Sequence, residues 1–442
     1  MAHPYYTASV NIPTAPDTPV PPKPADAYRL LHTADWHLGK MLNDRSREEE
    51  HRRFLHWLLE TVQVTGADAI VLAGDVFDTA NPSNSALQLY YDFLARLFRS
   101  RRCVLLAIAG NHDSAAQLEA PRDALNALNV HVTGFLPESP EDRLCFLPSA
   151  ENPRVAVAML PFLRDRDLRT GRAGETREDI RARLLEGIRE RYSETAAALA
   201  RPPTDPCPAI ATGHLTVLGG ITSESERDIH IGGLGQVPPD VFPEIFSYVA
   251  LGHLHRPQAV DPAGRVRYSG SPIPLSFSEV NDTKEIRIID VTGNTLRQAS
   301  LPVPRFRKLL RVRSSATDLE RNLKNSVEMI KEAPLDDLQP WLEVTVTEAS
   351  PVDDLNQRVH DCVDGSTIDV VRVLRDRPEV TGGIELAGTS DDQAIDALID
   401  HPRRVFELLL DRDTSLDVET RESLSVAFAE LLEMEARSEL IR

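Results

Sequence analysis

Several side chains of metal-ligating type recur in one local setting along this chain. Asp35 and His37 close an apolar run. Asp75 and Asp78 follow Gly74 after a second, and Asn111, His112 and Asp113 follow Gly110 after a third. His214 follows Gly213, and His253 and His255 follow Gly252. Carboxylates, an amide oxygen and imidazoles, with no thiolate among them, suit Mn²⁺, Fe²⁺ or Zn²⁺. Two such ions about 3.5–4 Å apart can clamp a phosphate and generate hydroxide from water at neutral pH. Asp75 is a carboxylate that could bridge them. Each piece alone has a plainer reading. An Asp-x-His pair is more often a helix cap with a surface histidine, and Gly-Asn-His-Asp is often only a turn. Five such segments in order, each closing an apolar run, outweigh the plainer readings together.

The elements that must hold these residues can be read from the runs themselves. Tyr28–Thr33, Asp68–Ala73, Cys103–Ala109, Arg154–Leu160, Pro208–Thr212 and Tyr248–Leu251 are short and apolar, as strands buried on both faces are. Helical patterns at Arg47–Val64, Ser85–Ser100 and Ala115–Asn129 lie between them, which makes the architecture α/β. Val266–Ser269 and Glu285–Asp290 read as further strands of a second sheet. Ligands in such folds gather at the carboxyl ends of strands, so one mouth could collect all five segments. The glycines would let the chain turn tightly and approach an ion closely.

The 442 residues divide by pattern. Residues 1–27, rich in proline, read as a disordered arm. Residues 28–302 form the domain that carries the metal-ligand segments. Residues 303–378 alternate strand and helix patterns as a small α+β cap. Residues 379–442 are a linker and a tail with helical patterns at Asp391–Asp411 and Val418–Arg437. The helix Ser85–Ser100 has an apolar face wider than one sheet needs. Arginine clusters at Arg99–Arg102, Arg164–Arg172 and Arg305–Arg313 read mainly as solvated surface, the last opening the cap. The segment around Glu226–Arg227 and Gly232–Gly233 could shape the substrate mouth.

A formal charge of −19, from 49 basic and 68 acidic residues, excludes a protein that grips nucleic acid by its overall field. It leaves room for local binding through metals and a few arginines. No apolar run approaches the ~18 residues of a membrane span, and the N-terminus does not read as a secretory signal. Four cysteines without a Cys-x-x-Cys pair fit a reduced, cytoplasmic setting.

The order Asp-x-His, Gly-Asp-x-x-Asp, Gly-Asn-His-Asp, Gly-His, Gly-His-x-His resembles that of the calcineurin-like metallophosphoesterases. The strings HTADWHLGK (32–40), GDVFDTANPSN (74–84), GNHDS (110–114), ALGHLHRPQ (250–258) and YSGSPIPLSFSE (268–279) are similar to those of the bacterial SbcD-type nucleases. The resemblance implies a four-layer αββα sandwich with a capping domain and a C-terminal helical tail that docks on an SbcC-type ATPase. It implies 3′→5′ exonuclease action on duplex DNA ends, endonuclease action on hairpins or single strands, and roles in repair, recombination and replication. It also implies a homodimer, and two divalent ions, Mn²⁺ first among them. One ion would take Asp35, His37, Asp75 and His255, and the other Asp75, Asn111, His214 and His253. His112 would act on the substrate phosphate, with Asp113 orienting it. Asp78 stands where eukaryotic and archaeal relatives carry histidine, which points to a supporting role. The plainer alternatives are a related phosphoesterase acting on nucleotides or phosphoproteins, and a scaffold that binds DNA without cutting it.

Overall fold

The computed structural model describes residues 19–99, 103–170, 174–199, 207–226, 235–331, 338–347 and 354–375, with positions 406, 410, 420, 424 and 428. Two six-stranded sheets dominate it. The first runs in the order Thr295–Pro302, Glu285–Thr292, Tyr28–Thr33, Ala69–Ala73, Val104–Ile108, Val130–Thr133. The second runs Gln258–Ala259, Val266–Tyr268, Phe246–Gly252, Ala209–His214, Val155–Ala158, Leu144–Leu147. In the first sheet the four strands from Tyr28–Thr33 to Val130–Thr133 are parallel and the other two pair antiparallel; in the second the four central strands are parallel and both edge strands antiparallel.

Strand periodicity explains why these runs are apolar throughout. Leu30, Ala69, Val71, Leu106 and Ile108 point between the sheets, against Val155, Val157, Ile210, Tyr248 and Ala250. Their neighbours Leu31, Ile70, Leu72, Leu105 and Ala107 point the other way, into a core with helices Glu48–Thr65 and Asn84–Arg99. On the far side, helix Arg177–Leu199 covers the second sheet through Leu184, Ile188 and Tyr192. The central strands of both sheets are covered on both faces, which is the four-layer αββα sandwich and makes most of their positions apolar, with His32 and Thr212 among the buried exceptions. Helix Glu48–Thr65 opens on three glutamates, which suit the positive end of its dipole, and stops at Gly66 in the left-handed region.

The helix expected over Ala115–Asn129 is two short ones, Ala115–Glu119 and Arg122–Asn126, broken at Pro121. The arm boundary at Tyr28 moves upstream. Lys23 donates to Gly66 O at 2.8 Å and pairs with Asp68, and Arg29 donates to Pro21 O at 3.0 Å. In the cap, strands Arg307–Ser314, Leu338–Val346 and Asp369–Arg375 are parallel and joined through helices Leu319–Lys331 and Leu355–Val363.

The cap is part of the same compact unit as the sandwich, which ends at Asp376. Leu309 and Trp341 of the cap pack with Leu42 and Phe277. Glu50, 1% exposed, accepts from both Arg47 and Arg307, and the Arg307 guanidinium lies 4.0 Å from the Trp341 ring centroid. A second unit spans Arg377–Arg442. The expected linker and most of both tail helices lie outside the described residues. Phe406 and Phe428, one from each expected helix, are helical and stack at 4.1 Å between ring centroids. No helix among the described residues is long and apolar enough to cross a membrane.

Candidate metal centre

All five predicted segments meet where the two sheets present their central carboxyl ends. Residues 35–38 continue alongside 74–77 beyond the strands, with Asp35, His37 and Leu38 donating backbone N–H to Gly74, Asp75 and Val76. This extension places Asp35 and His37 beside Asp75. Trp36 points the opposite way, into Phe54 and Phe93 of the flanking helices, and anchors the segment. Across the sheets, the His214 Nδ1–H donates to Ala73 O at 2.9 Å, and the His253 amide donates to Asp35 Oδ1 at 2.8 Å. Behind them His32 spans the sheet interface, with Nδ1 2.9 Å from Tyr248 Oη and Nε2 3.2 Å from Leu251 O. Gly74 has φ +91°, and a Cβ there would collide with the His214 ring, so both the turn and the close approach need glycine. Asp35, His37, Asp75 and His253 also have φ of 53°, 45°, 50° and 100°. Strained backbone of this kind persists where the surroundings over-determine it, and it clusters at functional sites.

Asp35, His37 and His255 offer ligand atoms within 4.8 Å of one another, as do Asp35, Asp75 and His214, and His37, Asp75 and His112. Asp75 Oδ2 lies 3.5 Å from His37 Nε2 and 3.2 Å from His214 Nε2, between the two halves of the cluster. Asn111 Oδ1 is 2.9 Å from His214 Nε2. The His253 ring centroid is 5.5 Å from that of His214.

Distance alone does not separate His112 from the ligands: its Nδ1–H donates to Asp78 O at 2.6 Å, as that of His214 does to Ala73 O, and its amide donates to Asp75 Oδ1 at 2.9 Å. Asp113, expected to orient His112, also holds the backbone around the site. Its carboxylate accepts from the amides of Val76, Phe77 and Gly110 at 2.9–3.1 Å and staples two ligand turns together. The Asp78 carbonyl contacts His112 at Nδ1.

Burial and neighbouring charges set the protonation of the cluster. Burial pushes Asp35 up to about 7, and the nearby Asp75 charge adds to this against the pull of His214. Asp75 is just as deeply buried, yet the charges of His214, His37 and His112 hold it well below the usual carboxylate range. Burial and the Asp75 charge raise Asp113 to about 6. Burial would lower His214, but Asp75 prevails and carries it up to about 9. Carboxylates packed this closely need positive charge among them. Asp35 Oδ2 and His37 Nε2 are buried without a hydrogen-bond partner among the described residues, while His37 Nδ1 stands 3.2 Å from Asp78 Oδ1. Orphaned atoms of these types, facing one another, are what a divalent cation would satisfy. The donor set fits the two expected ions.

Comparison with known proteins agrees. The calcineurin-like phosphoesterase family matches residues 28–171. The family described as the type 5 capsule protein repressor C-terminal domain matches residues 305–414. The SbcD subunit of the nuclease SbcCD from Escherichia coli strain K12 is 36% identical, over 79% of this chain and 86% of its own length. The SbcD subunit from Rhodobacter capsulatus is 44% identical over 65% of this chain and 72% of its own. That from Bacillus subtilis is 38% identical over 59% and 66%. The chain belongs to the SbcD family of SbcCD nuclease subunits. As an SbcD-family chain it carries the ligand types of all five segments in one place.

Some supporting residues of this SbcD-family centre have no signal as isolated positions. Asp78 Oδ1 is 3.2 Å from His37 Nδ1 and 3.0 Å from Lys40 Nζ, which gives the predicted supporting carboxylate a definite partner. Glu226 Oε1 accepts the His255 amide at 2.7 Å. Lys284 Nζ donates to the His255 carbonyl at 2.8 Å. Of the segment expected to shape the mouth, Arg227, Gly232 and Gly233 lie outside the described residues.

Proposed function

We propose that this chain is the divalent-metal nuclease subunit of an SbcCD-type DNA repair complex. The observation that carries the proposal is Asp75 standing between His37 and His214 at the joint mouth of two sheets. Asp35, His37, Asp75 and His255 would hold one ion, and Asp75, Asn111, His214 and His253 the other. Two bound divalent ions supply Lewis acidity to a phosphate and an activated water; Mn²⁺ suits this oxygen and nitrogen donor set. Asp75 contributes one shared charge. His112 keeps its Nδ1 proton on Asp78 O, so Nε2 is the nitrogen that meets the substrate. With both ring nitrogens protonated, His112 would deliver the Nε2 proton to the departing sugar oxygen and be left as the neutral imidazole with hydrogen on Nδ1.

The substrate is DNA, cut 3′→5′ from duplex ends and internally at hairpins or single strands. The macromolecular partner is an SbcC-type ATPase. A homodimer forms through helix Asn84–Arg99, where Tyr90, Phe93, Leu94 and Leu97 are buried while Tyr91 and Phe98 remain 43% and 37% exposed. Sedimentation at the mass of a single chain would remove that dimer.

End-labelled hairpin DNA, with Mn²⁺ or EDTA and with or without the ATPase, tests the reading. We expect Mn²⁺-dependent nicking and shortening. Hydrolysis of a small phosphodiester with intact DNA would point to the nucleotide-directed alternative. His112→Ser separates ligand from proton donor. Its metal content should match wild type, while turnover falls about 10²–10⁴-fold. A lost ion would move His112 into the ligand shell.

A further inference from the structure

His255 lies beyond the end of its strand, so the ladder does not fix it. Three contacts do: its amide on Glu226, its carbonyl on Lys284 and its ring on Ser225. The ring contact has a direction. Ser225 Oγ is 2.5 Å from His255 Nδ1, and the same hydroxyl donates to Glu279 Oε1. Serine has one hydroxyl proton. Spent on the carboxylate, it leaves Oγ only as an acceptor, so Nδ1 must carry hydrogen and Nε2 keeps the lone pair. Glu279 is 0% exposed and is itself clamped, accepting from Lys284 Nζ and from the Leu275 amide at 3.1 Å.

We propose that Ser225 and Glu279 are positioning residues that fix the tautomer and ring orientation of His255 for the ion shared with Asp35 and His37. Histidine ligands elsewhere gain orientation and basicity from such a carboxylate, here relayed through a hydroxyl. The pair is also tied to the cap. Glu279 closes the turn Phe277–Glu279, and Phe277 packs with Leu309 and Trp341 of the cap. Glu224, next to Ser225, lies 3.5 Å from Arg311 of the cap. Both segments that hold the His255 ring therefore bear on the domain that would lie along DNA.

The positioning role rests on the two-ion reading of the proposed function, and Mn²⁺ titration calorimetry on the full chain separates the two. Wild type should bind two ions. Ser225→Ala should weaken one of them about 10–100-fold and leave the other within twofold. Ser225→Thr, which restores the hydroxyl, should recover the lost affinity. The melting temperature in EDTA should not distinguish Ser225→Ala from wild type. Glu279→Gln should weaken the same ion. Two ions bound by Ser225→Ala at wild-type affinity would overturn the positioning role alone. Equal weakening of both ions with a lowered melting temperature would overturn it in favour of a general structural role. Failure of wild type to bind two ions would overturn the metal reading and the positioning role with it.

Discussion

Replacing Asp75 by asparagine keeps the shape of the site and removes one charge. A neutral amide bridges two cations poorly, so both ions should weaken together, with loss of DNA cutting. Elemental analysis after gel filtration checks this, and two ions per chain with normal cutting would disprove the bridge. His51 tests the surroundings rather than the ligands. It is 0% exposed, and neither ring nitrogen has a hydrogen-bond partner among the described residues. Burial, helped by the Arg47 charge, lowers it from 6.5 to about 3. The unfolded chain then takes up a proton near pH 6.5 that the folded chain refuses. Its contribution is full above that value and falls steadily as the pH drops toward about 3. Between pH 7.5 and 5.5 the loss is about 1.4 kcal/mol. His51→Leu should therefore flatten the fall in denaturant-melt stability over this range by about that amount. An unchanged pH slope would show that His51 is already protonated or solvated. At this scale the sequence carries the ligand types and their order, because each closes an apolar run. It does not carry the left-handed backbone at Asp35, His37, Asp75 and His253, or Ser225 and Glu279. Those depend on which distant segments the fold brings behind a ligand.

The same contrast holds among the elements. Strand Tyr28–Thr33 is legible to the residue, because burial on both faces favours Tyr28, Leu30 and Leu31, even with Arg29 and His32 buried among them. Helix Arg177–Leu199 is not. It presents few large apolar side chains, Leu184, Ile188 and Tyr192 chief among those buried, in a stretch dominated by arginine, glutamate and alanine. Strand Thr295–Pro302 is hidden for a related reason: it is an edge strand, and of its residues only Leu301 is buried. The contact between cap and sandwich is equally hidden, since Arg47, Glu50 and Arg307 look like ordinary surface charges in a sequence. In the fold Glu50 joins the first turn of helix Glu48–Thr65 to the first cap strand. Arg47 and Glu50 are almost wholly buried and Arg307 nearly so. Removing one partner from such a cluster leaves buried charge uncompensated, at a cost of about 3–5 kcal/mol. Glu50→Gln should therefore loosen the cap before the sandwich melts. Limited proteolysis would show this as faster cleavage near residues 303–306, and a wild-type digestion rate would mean that apolar packing at Trp341 suffices.

For the molecule as a whole, charge and division of labour point the same way. A net charge of −19 means that DNA must be drawn in by local features and by a partner. The metal centre lies entirely within the unit that ends at Asp376, so basal chemistry should not require residues 377–442. The second unit, Arg377–Arg442, has apolar residues at helical spacing, and an amphipathic helix must bury its stripe somewhere. Phe406 stacks on Phe428, which satisfies part of that need, and Leu410 is buried. Leu424 is left 38% exposed. Apolar surface left over after two helices pair is what helix-in-groove recognition uses. Truncation after Asp376 should therefore leave Mn²⁺-dependent cutting of short DNA within about threefold of wild type, by the tenfold-per-1.4 kcal/mol scale for a loss under about 0.7 kcal/mol. The same truncation should abolish co-purification with the ATPase and any stimulation by ATP. Recovery of the truncated chain with the ATPase at undiminished yield would sink this assignment. Loss of both solubility and basal cutting would show instead that the tail covers apolar surface of the nuclease unit, and that the second unit is part of its core.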